Sequence, residues 1–321
     1  MELSASLNKF LLGGTDPSVR YLVLRDLLDR GPDDPELVKA RDEIGRTGWA
    51  AKILEDQQPR GYWEGFTEKG DDLYMPKYTA TNWRLLVLSD LGLTVNDPRI
   101  ARATDLIFEF WGGEEEGIFG EKGSELCVTG NTVRMMMRFG RGDDPRIVRS
   151  LDWLVHAQKS DGGWHCFDSN TGTIDGWEAL AAFAVVPPAK RNEGMRKAIE
   201  RGAEFYLERG LLKEADGSTY PPWHRLHYPN HYYYDILVGL DTLTALGYGD
   251  DPRIRPALEE LISKRLQDGT WCIDSVHPDL LPEDTYHPRT PLYPFLLEHP
   301  GLPSRWITFV ALRVMRRAGK I

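Results

Sequence analysis

Two kinds of apolar pattern alternate along the chain. The first is one-sided. Behind each of three copies of Asp-Pro-Arg-Ile, apolar residues return every three or four positions: Ile100, Ala103, Ile107 and Phe110; Ile147, Leu151, Leu154 and Val155; Ile254, Leu258, Leu261 and Ile262. That period belongs to an amphipathic helix with one face on a core. Each copy also supplies its own start, because Asp caps free backbone N–H groups and proline occupies the first turn, where its missing N–H costs nothing. The second kind, at 79–91, 128–139, 174–186 and 232–246, is apolar on most faces, and 18–28 and 304–317 read the same way. A helix without a polar face is buried, so these six segments predict an inner layer surrounded by the one-sided outer helices.

A repeat sets the register of these layers. A glycine–aromatic signal occurs at Gln57-Gln-Pro-Arg-Gly61-Tyr-Trp63, Glu116-Gly117-Ile-Phe119, Gln158-Lys-Ser-Asp-Gly162-Gly-Trp164, Asp216-Gly217-Ser-Thr-Tyr220 and Gln267-Asp268-Gly269-Thr-Trp271, its glycines 56, 45, 55 and 52 residues apart. The Asp-Pro-Arg-Ile copies lie 47 and 107 residues apart, the second step being about two repeats. The reading is an all-α fold in one domain, 1–321: an α/α toroid of about six inner and six outer helices, built from about five helix-pair repeats of 45–56 residues. Closure of the ring accounts for the lack of a polar capping repeat, since first and last units cap each other. Long loops at 112–124, 211–230 and 275–303, the last two rich in Pro, His and Tyr, are where a site is expected.

Gln-x-x-x-Gly-x-Trp, intact at Gln57–Trp63 and Gln158–Trp164 and shortened at Gln267–Trp271, resembles the repeat signature of squalene and oxidosqualene cyclases. Protein prenyltransferase β subunits look similar. The resemblance runs from about Asp56 to the C-terminus and implies the toroid; in that family these residues are structural, tying outer helices to the loops that follow. The family's catalytic devices are missing. No Asp-x-Asp-Asp occurs, Glu283-Asp284-Thr285 being a faint echo; no Asp-x-Cys occurs for zinc, and Tyr232 stands where the zinc-binding His of a prenyltransferase would be; Asp71-Asp72-Leu-Tyr-Met75 stops short of a magnesium–diphosphate motif. No metal or cofactor is therefore implied.

A net charge of −10, with no dense Lys/Arg block, disfavours nucleic acid and anionic lipid surfaces as partners. Three separated cysteines, Cys127, Cys166 and Cys272, suit reduced thiols and a cytoplasmic setting. No stretch approaches the roughly 18 apolar residues of a membrane span, so no integral membrane segment is expected. A homo-oligomer or a partner subunit against the outer helices stays open.

Chemistry is expected where loops enter the inner helices, around one mouth of the ring. Asp175 with Glu178, and His231 with Asp235, are spaced three and four apart, so each pair would share a helix face as a coupled acid/base unit. Tyr78, Asn82, Trp83, Cys127, Asn131, Trp177, Tyr232, Tyr234, Arg305 and Trp306 are candidate substrate contacts, the aromatics as walls for a carbocation or isoprenoid chain. For Cys127 the favoured reading is a small buried residue, with a thiol at a helix start as the alternative. The cluster His224-Arg225-Leu-His227 is the cationic loop near that mouth. Three functions fit. An isoprenoid-processing enzyme, of terpene cyclase or prenyltransferase type, requires an apolar cavity and acids with raised pKa values; a carbohydrate lyase or hydrolase requires an open polar groove; a binding scaffold requires a plugged centre.

Overall fold

The computed structural model describes residues 3–67, 70–111, 118, 125–276 and 297–321. Six helices form the inner layer: α2 (Pro17–Asp26), α5 (Thr81–Asp90), α7 (Leu126–Phe139), α9 (Glu178–Val185), α11 (Ile236–Ala245) and α13 (Arg305–Arg317). Around them lie α1 (Ala5–Leu12), α3 (Pro35–Glu43), α4 (Gly48–Glu55), α6 (Pro98–Trp111), α8 (Pro145–His156), α10 (Glu193–Glu208) and α12 (Arg255–Ser263). Each inner helix from α5 onward packs on the next, α13 returns to α2, and α4 bridges α2 to α5, so the ring closes. Sheet is confined, among the described residues, to two two-stranded ladders of two residues a strand.

Burial follows the two sequence patterns. In α5 every residue from Thr81 to Ser89 is buried, whereas α8 buries Ile147, Ser150, Leu151 and Leu154 alone, one stripe. The repeat signature ties the layers together. The indole N–H groups of Trp63, Trp164 and Trp271 donate to the carbonyls of Ile53, Leu154 and Leu261 at 2.6–2.8 Å, each ten residues back on the preceding outer helix. The amides of Gln57 and Gln158 reach forward to Arg99 O and Ala198 O on the next outer helix. Gly162, at φ +90°, passes so close to that helix that a Cβ would lie 2.5 Å from Arg201 O, which explains why the position is glycine. The Asp-Pro-Arg-Ile copies cap as predicted, Asp144 accepting from Arg146 N and Asp251 from Arg253 N.

Two helices start later than their apolar runs, and this alters the expected acid/base pairs. Ile174–Gly176 forms a turn in which Gly176 N donates to Thr173 O, so α9 begins only at Glu178. Asp235 is the N-cap of α11, and His231, at φ +48°, lies in the loop before it. Neither pair shares a helix face. The 116–119 repeat instance (Ile118 apart), the 112–124 loop (same exception) and Glu283-Asp284-Thr285 fall outside the described residues, as does most of 275–303.

Candidate active site

The first turns of the inner helices converge at one end of the ring, as expected, but they converge into packed side chains. Trp83, Tyr78 and His231 are each at most 2% exposed, with ring centroids 5.2–5.3 Å apart. Tyr232 closes over them, its hydroxyl 3.1 Å from that of Tyr78 and accepting from Lys77 Nζ at 3.0 Å. Asn131 donates to His231 O, and Trp177 donates to Tyr232 O. Asn82 is buried on α5, its side-chain oxygen without a hydrogen-bond partner among the described residues. Tyr78 and His231 both hold left-handed backbone, which costs roughly 1–3 kcal/mol each for a non-glycine residue and persists only where surrounding packing enforces it. Burial lowers the His231 pKa to about 3, so its imidazole is neutral.

Below this plug lies a cavity of about 370 Å3 lined by residues from all six inner helices. Its upper wall carries Trp177, Trp306, His227 and Asp235. Trp306 stacks on Tyr228 with centroids 4.0 Å apart. Its floor is charged, with Asp90 paired to Arg138, Asp241 to Arg313 and Arg317, and Asp26 to Arg25 and Arg313. The apolar cavity expected from the sequence is therefore a mixed one.

His227 is the group on this wall with the clearest chemistry. Its Nδ1 lies 2.8 Å from Asp235 Oδ2 and 3.3 Å from Arg225 O, two acceptors, which assigns a hydrogen to Nδ1 and makes Nε2 the nitrogen left for exchange with a ligand. Both side chains are fully buried, and Nε2 has no hydrogen-bond partner among the described residues. Asp235 accepts, besides, from His227 N, Asn230 Nδ2 and Val238 N. Held by three hydrogen-bond donors and set against the His227 ring, the Asp235 carboxylate is placed to orient the imidazole.

Other sequence candidates lie elsewhere. Asp175 is exposed and accepts the Trp223 indole N–H at 2.9 Å, which makes it a surface anchor. Tyr234 donates to Leu211 O and stacks on Tyr206, facing the outer layer. Arg305 donates to Phe10 O, fastening α13 to α1 at the closure. Glu178 is buried against Gly130, both carboxyl oxygens unpartnered among the described residues; desolvation raises its pKa well above the ordinary carboxyl range, yet it does not line the cavity. The Cys166 thiol lowers the pKa of Cys127 beside it. His227 itself was noticed in the sequence only as part of a cationic loop. Its eight-residue separation from Asp235 has no helical meaning, and a bend brings the two together.

No family model matches the chain. A probable squalene–hopene cyclase of Sinorhizobium fredii is 31% identical over 148 residues, 40% of this chain and 22% of that protein. A squalene–hopene cyclase of Bradyrhizobium diazoefficiens is 35% identical over 86 residues, 23% of this chain and 13% of that protein. The chain thus matches about a fifth or less of the length of these curated relatives. Among solved structures, a glycosyl hydrolase family 88 protein from Bacteroides vulgatus aligns with a TM-score of 0.51 at 13% identity, covering 98% of this chain and 97% of that one. A type II terpene cyclase from Scytonema aligns with a TM-score of 0.48 at 14% identity, covering 95% and 87%. The fold is an α/α toroid and the sequence is squalene-cyclase-like. No described helix is long and apolar enough to cross a membrane.

Proposed function

We propose that this squalene-cyclase-like toroid is an enzyme that rearranges an isoprenoid in its central cavity by proton transfer, with His227 as the acid/base group and Asp235 as its positioning residue. The observation that carries the reading is the buried Asp235–His227 pair, whose unused Nε2 belongs to a ring on the cavity wall. The absence of Asp-x-Asp-Asp argues for this division of labour. Protonating an isolated alkene requires a strong acid, whereas a neutral imidazole is suited to taking a proton from the carbon beside a cationic or allylic centre. In the allylic case the C–H electron pair forms the new double bond while the π pair of the old one takes up a proton at its far carbon, so the proton received by His227 Nε2 is handed back in the same 1,3-shift, Asp235 stabilises the transient imidazolium, and substrate and enzyme end with the charge they began with. Trp177 and Trp306 supply ring faces for the developing cation. Glu178, enclosed away from the cavity, stays outside the chemistry.

The charged floor favours a second reading, a carbohydrate lyase in which His227 removes the proton next to a sugar carboxylate. One experiment separates the two. The protein is incubated in D2O with squalene, farnesol or geranylgeraniol, and with uronate oligosaccharides, and products are examined by mass spectrometry. Deuterium entering a rearranged isoprenoid, lost in His227→Gln, supports the first reading; unsaturated sugar products with unchanged isoprenoids overturn it.

A further inference from the structure

Arg134 is the unbalanced charge of the cavity. Five arginines and four aspartates line it. Asp90 pairs with Arg138, Asp26 with Arg25 and Arg313, Asp241 with Arg313 and Arg317, and Asp235 is occupied by His227. Arg134 has no carboxylate within ion-pair distance and no hydrogen-bond acceptor among the described residues, and its Nε is buried and unpartnered. It is 7% exposed, lines the cavity, and lies over the Trp177 ring at 4.9 Å, a contact that fixes the plane of the guanidinium. A guanidinium stripped of water without an anion is costly, so a position that retains one has a use for it. Burial, and after it the neighbouring Arg138 guanidinium, pulls its pKa down to about 10, still charged at neutral pH.

We infer that the cavity binds a ligand bearing a single carboxylate, which pairs with Arg134 while its apolar body lies against Trp177, Trp306 and the aliphatic residues of α9, α11 and α13. Five arginines against four aspartates leave the wall one guanidinium in excess. A monoanion cancels it, whereas a diphosphate would bury at least one further negative charge beside Asp26, Asp90 and Asp241. The forked donors of arginine match the two oxygens of a carboxylate. The volume, about 370 Å3, is at the small end of the roughly 300–1,000 Å3 typical of ligand pockets, enough for a short prenyl or terpenoid acid. The apolar part of this assignment rests on the isoprenoid reading above; the carboxylate part does not.

The test measures binding of farnesoic acid, farnesol, farnesyl diphosphate and glucuronate to the full chain by calorimetry, alongside Arg134→Met and Arg134→Lys. The inference expects farnesoic acid to bind at least tenfold more tightly than farnesol and than the diphosphate. Arg134→Met abolishes that preference and leaves farnesol affinity unchanged, while Arg134→Lys retains part of it. Thermal unfolding of Arg134→Met serves as the fold check, with Tm equal to or above wild type because an unpaired buried charge has been removed. Equal affinity for acid and alcohol overturns the carboxylate site and leaves the isoprenoid reading standing. Tight glucuronate binding lost in Arg134→Met, with no isoprenoid bound, supports the carboxylate site and sinks the isoprenoid reading. Acid preference that survives in folded Arg134→Met, or a preference for the diphosphate, overturns the inference.

Discussion

Asp235→Asn separates the orienting role of this residue from a merely structural one. Oδ1 caps Val238 N at 2.8 Å, and Oδ2 receives His227 N and Asn230 Nδ2 and lies 2.8 Å from His227 Nδ1. An asparagine oxygen can keep the cap on α11, but its NH2 then faces the two donors, His227 N and Asn230 Nδ2, as well as the imidazole. The imidazole can adapt by moving its hydrogen to Nε2, so that Nδ1 accepts from the new amide. The backbone N–H of His227 cannot adapt and is left buried without a partner, at a cost of about 1–3 kcal/mol. The stability loss is thus expected within that range, measured as a shift of the urea midpoint at constant m. The tautomer change is expected to be complete. Long-range proton–nitrogen NMR correlations of the imidazole report it directly, with Nε2 unprotonated in the wild type and protonated in Asp235→Asn. Turnover is expected to fall by about 10²–10⁴, the usual contribution of a positioned acid/base group. An unchanged tautomer in a folded variant, or turnover within tenfold of wild type, would falsify the proposed role of the pair.

Two further outcomes follow from groups outside that pair. Because the folded-state pKa of Glu178 is raised, the native protein binds a proton there that the unfolded chain releases, so stability falls as pH rises through the window between the ordinary carboxyl value and the elevated one. Glu178→Gln should match wild type at pH 4, below the ordinary carboxyl range, and exceed it in urea unfolding at pH 7; equal stability at both would show that the carboxyl is not held protonated. Gly162→Ala introduces a Cβ 2.5 Å from Arg201 O at φ +90° and should cost on the order of 2–3 kcal/mol from backbone strain and clash, read by thermal unfolding, whereas Gly210→Ala, with nothing within 4 Å of its Cβ, should lose only the strain part.

The toroid was legible because its determinants repeat. The indole of each of the three units donates to a carbonyl ten residues back, and Gln57 and Gln158 both reach the next outer helix, so a local string carried long-range information about layer and register. The candidate site was legible only in part. Tyr78, Trp83, Asn131, Trp177, His231 and Tyr232 do meet at one end of the ring, since each sits where a loop enters an inner helix. The acid/base pairs were misplaced because apolar periodicity marks which residues are buried without marking where the helix starts; the turn at Thr173–Gly176 and the cap at Asp235 decide that. His227 carried no local signal, since it reaches Asp235 through a bend after Arg225.

The mixed lining of the cavity follows from the ring itself. The inner helices α2, α5, α7, α11 and α13 bring their C-terminal ends toward the charged floor, and unsatisfied carbonyls there carry partial negative charge that basic residues complement. Arg25, Arg138, Arg313, Arg316 and Arg317 stand in or beside those last turns, and Arg316 donates to the carbonyls of Asp26 and Leu27 at the end of α2. So many cations in one enclosure repel one another, and Asp26, Asp90 and Asp241 relieve this by pairing with them. The floor is therefore polar for reasons of architecture, and its charge is already spent on helix ends and ion pairs. Polarity of the lining taken as a whole is then a poor guide to what the cavity holds. Arg134 sits one turn before Arg138 on α7, above the helix end and beyond ion-pair reach of the aspartates, beside two tryptophans and His227. At that level the wall offers one guanidinium without a carboxylate partner, one buried imidazole and aromatic faces, the groups that the proposed carboxylate binding and proton transfer call on.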